Sequence, residues 1–116
     1  MILVVDDDEQ MRKALRLMLE MNGFDVLEAA NGAEAKEVYS TDHPHLVLMD
    51  IILPGEHGLE AIKGIQTSDP DARIIAFSGV SQESLVKSAI DAGAKDFLAK
   101  PFDLEDMLAA IRRHIK

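Results

Sequence analysis

Carboxylates are the place to start, because Asp6, Asp7 and Asp8 stand directly after four apolar residues, Ile2 to Val5. A further acid, Asp50, follows Leu46-Val47-Leu48-Met49 and precedes a Leu53-Pro54-Gly55 turn. A hydroxyl, Ser78, closes Ile74-Ile75-Ala76-Phe77, and a lysine, Lys100, closes Phe97-Leu98-Ala99. Carboxylates gathered in one place raise one another's pKa unless a hard divalent cation holds them together, and oxygen-only ligands in this number suit Mg2+. A carboxylate beside such a cation can act as a nucleophile towards phosphorus, while the metal and a lysine neutralise the phosphoryl oxygens and a hydroxyl donates to one of them. Each residue also has an ordinary reading: Asp7 or Asp8 caps a helix, Asp50 is a solvated loop acid, and Ser78 and Lys100 are plain loop residues. Only joint placement separates the two accounts.

Placement is the work of one pattern that occurs five times. The strand Ile2 to Val5 is followed by Met11, Ala14, Leu15, Met18 and Leu19 at helical spacing, ending at Asn22-Gly23. A strand from Asp25 to Ala29 leads into Asn31-Gly32-Ala33-Glu34, a capping box opening a helix that buries Ala35, Val38 and Tyr39. His45 to Asp50 is the third strand, and its helix turns Leu59, Ile62 and Ile65 inward. Arg73 to Ser78 is the fourth, with a helix capped near Ser81 that buries Leu85, Val86, Ala89 and Ile90 before Gly93. Lys95 to Ala99 is the last, stopped by Pro101, and Leu104, Met107, Leu108, Ile111 and Ile115 mark the closing helix.

Alternating strands and helices predict an α/β fold, a five-stranded parallel sheet with helices on both faces. Strands 1, 3 and 4 are continuous apolar runs, as burial on both faces requires, whereas strand 2 (Asp25, Glu28) and strand 5 (Lys95, Asp96) carry charges that suit edges. The order 2-1-3-4-5 satisfies both conditions, and such sheets bind ligands at the carboxyl ends of strands 1 and 3. That order brings Asp6, Asp7, Asp50, Ser78 and Lys100 to one end of the sheet.

Composition narrows the rest. The 116 residues are 47% hydrophobic and suit one domain spanning 1–116. Twelve basic against 21 acidic side chains give a net charge of -9, a field that repels nucleic acid and anionic membrane. With Cys 0 there is no thiolate metal site and no cysteine nucleophile, and no apolar run approaches the roughly 18 residues of a membrane span. A cytoplasmic protein without direct nucleic-acid or membrane partners is expected. His43, His45 and His114 show no ligand spacing and read as exposed polar residues. The basic end Arg112, Arg113, His114 and Lys116 suits a helix C-terminus.

With these residues in hand, the chain resembles, from end to end, the receiver domain of two-component response regulators. Four motifs carry the resemblance in order: Ile-Leu-Val-Val-Asp6-Asp7-Asp8, Met49-Asp50-Ile51-Ile52-Leu53-Pro54-Gly55, Phe77-Ser78-Gly79 and Phe97-Leu98-Ala99-Lys100-Pro101-Phe102. The resemblance implies a phosphorelay signalling domain, catalysing only its own phosphorylation and dephosphorylation, in which Asp50 accepts a phosphoryl group from a histidine kinase or histidine phosphotransfer protein. It implies Mg2+ held by Asp7, Asp50 and the Ile52 backbone carbonyl, with Asp6 acting through water. Ser78 is then the switch hydroxyl, Phe97 the switch aromatic and Lys100 the phosphoryl-binding cation, its bond to Pro101 expected cis. Downstream effectors are expected to dock on the face of helix 4, strand 5 and helix 5.

Departures from the family pattern carry information too. Ser78 stands where Thr is commoner, Phe97 where Tyr is frequent, and His57 where Asp is usual. Ala109 and Ala110 occupy the middle of helix 5, where DNA-binding members tend to carry a basic residue, so a monomer or a weak phosphorylation-dependent dimer is expected. Ile52 and Val80, two positions after Asp50 and Ser78, cannot orient or deprotonate a water, which predicts slow loss of the phosphoryl group. The alternative is a haloacid-dehalogenase-type phosphatase with Asp6 as nucleophile. Against it stand Glu9-Gln10 after the acids, the lack of a cap insertion and an unexplained Asp50.

Overall fold

The computed structural model describes residues 1–51, 58–79, 83–100 and 102–115. Ten elements alternate along them: β1 (Ile2–Val5), α1 (Glu9–Met21), β2 (Val26–Ala29), α2 (Gly32–Asp42), β3 (Leu46–Asp50), α3 (Gly58–Ser68), β4 (Ile74–Ser78), α4 (Glu83–Ala92), β5 (Asp96–Ala99) and α5 (Leu104–His114). All strand pairings are parallel, in the order β2-β1-β3-β4-β5. The charged strands are the edges, as their composition requires. Strands 2 to 5 each begin one residue later than the apolar pattern suggests, within the usual uncertainty of an element's end.

Side-chain alternation divides the core into two layers. Leu3, Val5, Val47, Met49, Ile74 and Ala76 face α2, α3 and α4, meeting Ala35, Tyr39, Ala61, Ile62, Ile65, Ala89 and Ala92. Ile2, Val4, Leu46, Leu48, Ile75 and Phe77 face α1 and α5, meeting Leu15, Leu19, Met107, Ala110 and Ile111. The central strands are therefore apolar at every position before the terminal Asp50 and Ser78, because neither face sees water. Each fully buried Leu or Ile contributes about 1.5–3 kcal/mol relative to exposure.

Two helix faces differ from the periodic reading. Ala14 is exposed, because the buried stripe of α1 narrows to Leu15 and Leu19 with Met11 and Met18 half-buried at its margins. Ile90 is 44% exposed, and α4 rests on Ala89 and Ala92 with Leu85 and Val86 only half-buried. Beside an edge strand the sheet is too narrow to cover the whole apolar face of α4. Val38 and Leu59 are likewise half-buried. Asn31 caps α2 through Glu34 N–H, as its motif predicts. The Leu53-Pro54-Gly55 turn, His57, Ser81 as a cap and the Lys100-Pro101 bond lie outside the described residues or depend on one that does.

Candidate functional site

Strand register sets the site. Val5 lies opposite Met49, Asp50 opposite Phe77, and Ser78 opposite Ala99, so Asp6, Asp50, Ser78 and Lys100 form a row across the carboxyl ends of four adjacent strands. Alternation gives Asp6, Asp50 and Lys100 the parity of the α1/α5 layer, and gives Ser78 the parity of Ala76 on the α4 side. The row therefore has two faces.

On the first face, Asp6 and Asp50 are 1% and 5% exposed. The Lys100 Nζ lies 3.2 Å from Asp50 Oδ2 and 3.4 Å from Asp6 Oδ2, and sits 4.9 Å from the centre of the Phe77 ring beneath it. Phe102 packs edge-on against that ring at 5.9 Å. Burial pushes the Asp6 carboxyl above its usual range, against the opposing pull of the Asp8 N–H and of Lys100. Burial also works against the charge on Lys100, yet the attraction of Asp50 and Asp6 outweighs it and holds the ammonium above its ordinary pKa. The lysine is charged at any physiological pH.

Helix capping resolves onto a single acid. Asp8 accepts from Gln10 N–H and Met11 N–H as the cap of α1, while its own N–H donates to Asp6 Oδ1 at 3.0 Å. Asp7 is left out of the cap, exposed, and aimed with Asp6 and Asp50 at a common point. One carboxylate oxygen from each of these three lies within 4.8 Å of the others. That spacing is near the roughly 4 Å separating opposite ligands of an octahedral Mg2+. Three carboxylates against one ammonium leave two negative charges among these groups, the charge of one divalent cation. The donor set is oxygen throughout, so the residues present fit Mg2+ and not a softer metal. Ile52, expected to lend its carbonyl, lies outside the described residues.

On the second face, Ser78 is 1% exposed, and its carbonyl accepts from the Lys100 N–H at 2.8 Å, tying the ends of β4 and β5. Phe97 has the same parity and packs half-buried against the α2–α4 layer. Ser78 and Phe97 thus share the strand parity of the α2–α4 side of the sheet.

A model of the response regulator receiver domain matches residues 2–112. The chain belongs to this family. Chemotaxis protein CheY of Bacillus subtilis (strain 168) is 48% identical to this receiver domain over 113 residues, covering 97% of this chain and 94% of that protein. Among solved structures, the receiver domain of NtrX from Brucella abortus superposes with a TM-score of 0.94 at 30% identity, covering 99% of this chain and 98% of that one. A CheX-CheY-BeF3-Mg+2 complex from Borrelia burgdorferi gives a TM-score of 0.92 at 33% identity, covering 99% and 89%. Receiver domains accept a phosphoryl group in two-component signalling, bind Mg2+ at an acidic pocket and act as signalling modules rather than classical enzymes. In this chain Asp6, Asp7 and Asp50 are grouped closely enough to hold a metal ion. The haloacid-dehalogenase alternative finds no support in these relatives. No helix among the described residues is long and apolar enough to cross a membrane.

Three residues near the site escaped the motif reading. Gly58 opens α3 against the acid strand: a Cβ there would stand 2.4 Å from Ile51 Cα and 2.6 Å from the Asp50 carbonyl oxygen. Arg12 donates to the Asp6 main-chain carbonyl, and Glu28, read only as a polar edge residue, accepts from Arg12. His114 is also not simply exposed: its Nε2 lies 3.2 Å from Asp96 Oδ2, which accepts from Arg113 as well. His43 and His45 are exposed, as expected.

Proposed function

We propose that Asp50 is the phosphoryl acceptor of this receiver domain, with Asp6 and Asp7 helping to hold Mg2+, Lys100 binding a phosphoryl oxygen and Ser78 with Phe97 reporting the modification. The observation that carries the reading is Lys100 Nζ lying between two buried carboxylates at the ends of different strands, 3.2 and 3.4 Å away. A buried carboxylate held beside a fixed ammonium is placed for attack on phosphorus. A carboxylate oxygen of Asp50 attacks the phosphorus of a phosphohistidine, the P–N bond breaks with its electron pair going to the imidazole, and an acyl phosphate remains on Asp50. When bound, Mg2+ neutralises phosphoryl oxygens as charge moves during transfer. Lys100 is already charged and in place, so no reorganisation accompanies its contact with the transferred group. The same chemistry run against water removes the phosphoryl group, and both steps are self-catalysed.

Ser78 then donates its hydroxyl to a phosphoryl oxygen, drawing the end of β4 towards Asp50 and vacating space on the α4 side. Phe97 has the parity to follow, which makes the α4, β5 and α5 face the one whose shape depends on phosphorylation. We expect a histidine kinase or histidine phosphotransfer protein as donor and a downstream protein as reader, meeting the domain in the cytoplasm. We also expect the phosphorylated form to remain a monomer or a weak dimer, since Ala109 on α5 offers no charge to a symmetric partner. The test is intact-mass spectrometry with phosphoramidate as donor. A gain of one phosphoryl group that requires Mg2+ and vanishes in Asp50→Asn is expected. Modification surviving Asp50→Asn, or none in wild type with Mg2+ present, overturns the reading.

A further inference from the structure

Arg12 belongs to none of the motifs that point to phosphoryl chemistry, yet its guanidinium joins three elements beside the acids. Its Nη1 donates to the main-chain carbonyl of Asp6 at 2.7 Å, and its Nε donates to Glu28 Oε1 at 2.8 Å. The second Glu28 oxygen accepts from Arg16 Nη1 at 2.6 Å. The Arg12 and Glu28 side chains are 14% and 17% exposed, so this fork works largely away from water, where charge-assisted hydrogen bonds are strongest. Glu28 is anchored in turn, because β2 pairs with β1 and sets Glu28 opposite Val4.

The carbonyl that Arg12 grips belongs to the peptide joining Asp6 to Asp7. The preceding N–H, that of Asp6, donates to the Ala29 carbonyl at 3.1 Å. Both hydrogen-bonding groups of the Asp6 main chain are therefore fixed by β2 or by a residue tied to β2. The plane of the Asp6–Asp7 peptide sets the direction in which the Asp7 side chain leaves the backbone. Asp7 is exposed, and no hydrogen bond or ion pair to the described residues holds its carboxylate. Its aim at the point shared with Asp6 and Asp50 is set by where the backbone places its Cβ and by its own rotamer, with no side-chain partner among the described residues.

We propose that Arg12, oriented by Glu28, is a positioning residue for the divalent cation: by holding the Asp6–Asp7 peptide it aims the Asp7 carboxylate at the site it shares with Asp50. The inference rests on the reading of Asp6, Asp7 and Asp50 as the Mg2+ pocket. A simpler account treats Arg12 as a positive charge near the acids, and the two accounts differ in sign. A bare charge opposes a cation, so its removal would tighten Mg2+ binding, and Arg12→Lys would leave binding unchanged. A positioning fork is lost in both Arg12→Lys and Arg12→Met, because an ammonium cannot bridge Glu28 and the Asp6 carbonyl with the same planar geometry.

The experiment measures Mg2+ affinity of the full chain by titration calorimetry, beside the Mg2+ dependence of phosphorylation by phosphoramidate. In Arg12→Lys and Arg12→Met, Mg2+ affinity is expected to fall about tenfold, the lower range for losing a residue that orients a metal ligand. The phosphorylation rate at saturating Mg2+ should return to within about twofold of wild type, since Asp50 and Lys100 are untouched and the metal site is refilled. Glu28→Gln, which keeps the shape and weakens the fork, should shift affinity in the same direction by less and gives a milder variant if either Arg12 substitution fails to fold. Lys13→Ala, whose exposed partner is Glu9, should bind Mg2+ as wild type does. Wild-type affinity in Arg12→Lys, tighter binding in Arg12→Met, or a lost rate that saturating Mg2+ does not restore each overturns the proposal. If wild type binds Mg2+ no better than Asp7→Asn does, the underlying pocket assignment fails instead.

Discussion

Replacing Lys100 with Met keeps most of the side-chain volume over the Phe77 ring and removes the ammonium that separates two buried carboxylates. At 3.2 and 3.4 Å and an effective dielectric constant of about 20, each contact is worth roughly 5 kcal/mol before desolvation. The ammonium itself is desolvated, which offsets much of this, and rupture of buried pairs typically costs about 3–5 kcal/mol. The Lys100 side chain is 25% exposed, so water reaches the group and the lower end applies, about 3 kcal/mol. In chelator near neutral pH, with a urea slope of about 1.5 kcal/mol per molar, the unfolding midpoint should fall by about 2 M. Magnesium should then narrow the gap. For a site with Kd of about 1 mM, 10 mM Mg2+ stabilises by roughly 1.4 kcal/mol, and tenfold tighter binding by the more negative variant raises this to roughly 2.7 kcal/mol. Urea denaturation of both proteins with chelator and with Mg2+ gives all four values. A gap below about 1 kcal/mol in chelator, or a gap that Mg2+ leaves unchanged, would show that Lys100 does not hold the acids together and that the reasoning is wrong.

Further outcomes follow from single contacts. Gly58→Ala drives a methyl into the Asp50-Ile51 backbone, so it should cost about 2–3 kcal/mol in urea denaturation and slow phosphorylation; unchanged stability would mean that α3 can retreat freely. The Glu28 carboxyl is held below its ordinary value of 4.5, chiefly by the hydrogen bond from Arg16, so its contribution is fully present above that pH and is lost as pH falls through the depressed value. The stability difference between wild type and Glu28→Gln should therefore shrink on acidification below about pH 4.5, and a difference constant with pH would contradict the ion-pair assignment. Ile52 and Val80 lie outside the described residues; on the proposed reading the family resemblance puts both positions beside the attacking water, so decay of phospho-Asp50 followed by mass spectrometry should speed up in Ile52→Asn and Val80→Glu. Unchanged or slower decay would refute the account of water access.

Strand order and the row of site residues were legible because both follow from short, local signals. A continuous apolar run marks a strand buried on both faces, and a charged residue at its carboxyl end marks the face where ligands bind. Asp6, Asp50 and Ser78 each follow such a run and Lys100 follows the short edge strand Asp96–Ala99, so the strand order brought them together. Helix faces were less legible: Ile90 has the right spacing for burial, but the sheet beneath α4 ends at β5 and leaves it exposed. Arg12 and Glu28 were hidden for a different reason. They are 16 residues apart on different elements, and their link to the site passes through a main-chain carbonyl, an acceptor that every residue possesses. Gly58 gave no signal either, because its requirement comes from a close approach by the Asp50-Ile51 backbone rather than from a left-handed turn.

The alanines beneath α4 set how little energy a change of state requires. Leu15 and Leu19 anchor α1, and Met107 and Ile111 anchor α5, so shifting either helix would open large apolar voids. Under α4 the buried side chains of the helix are Ala89 and Ala92, with Leu85 half-buried, and the facing strand contributes Ile74 and Ala76. Each methyl uncovered there forfeits about 0.8 kcal/mol, so a modest slide of the helix falls within the few kcal/mol that separate two populated conformations. On the proposed reading, a single covalent event at the end of β3 would suffice to tip the balance, and the chemistry could stay rigid on one side of the sheet while the α4 side is retuned by substitutions that never touch the acids.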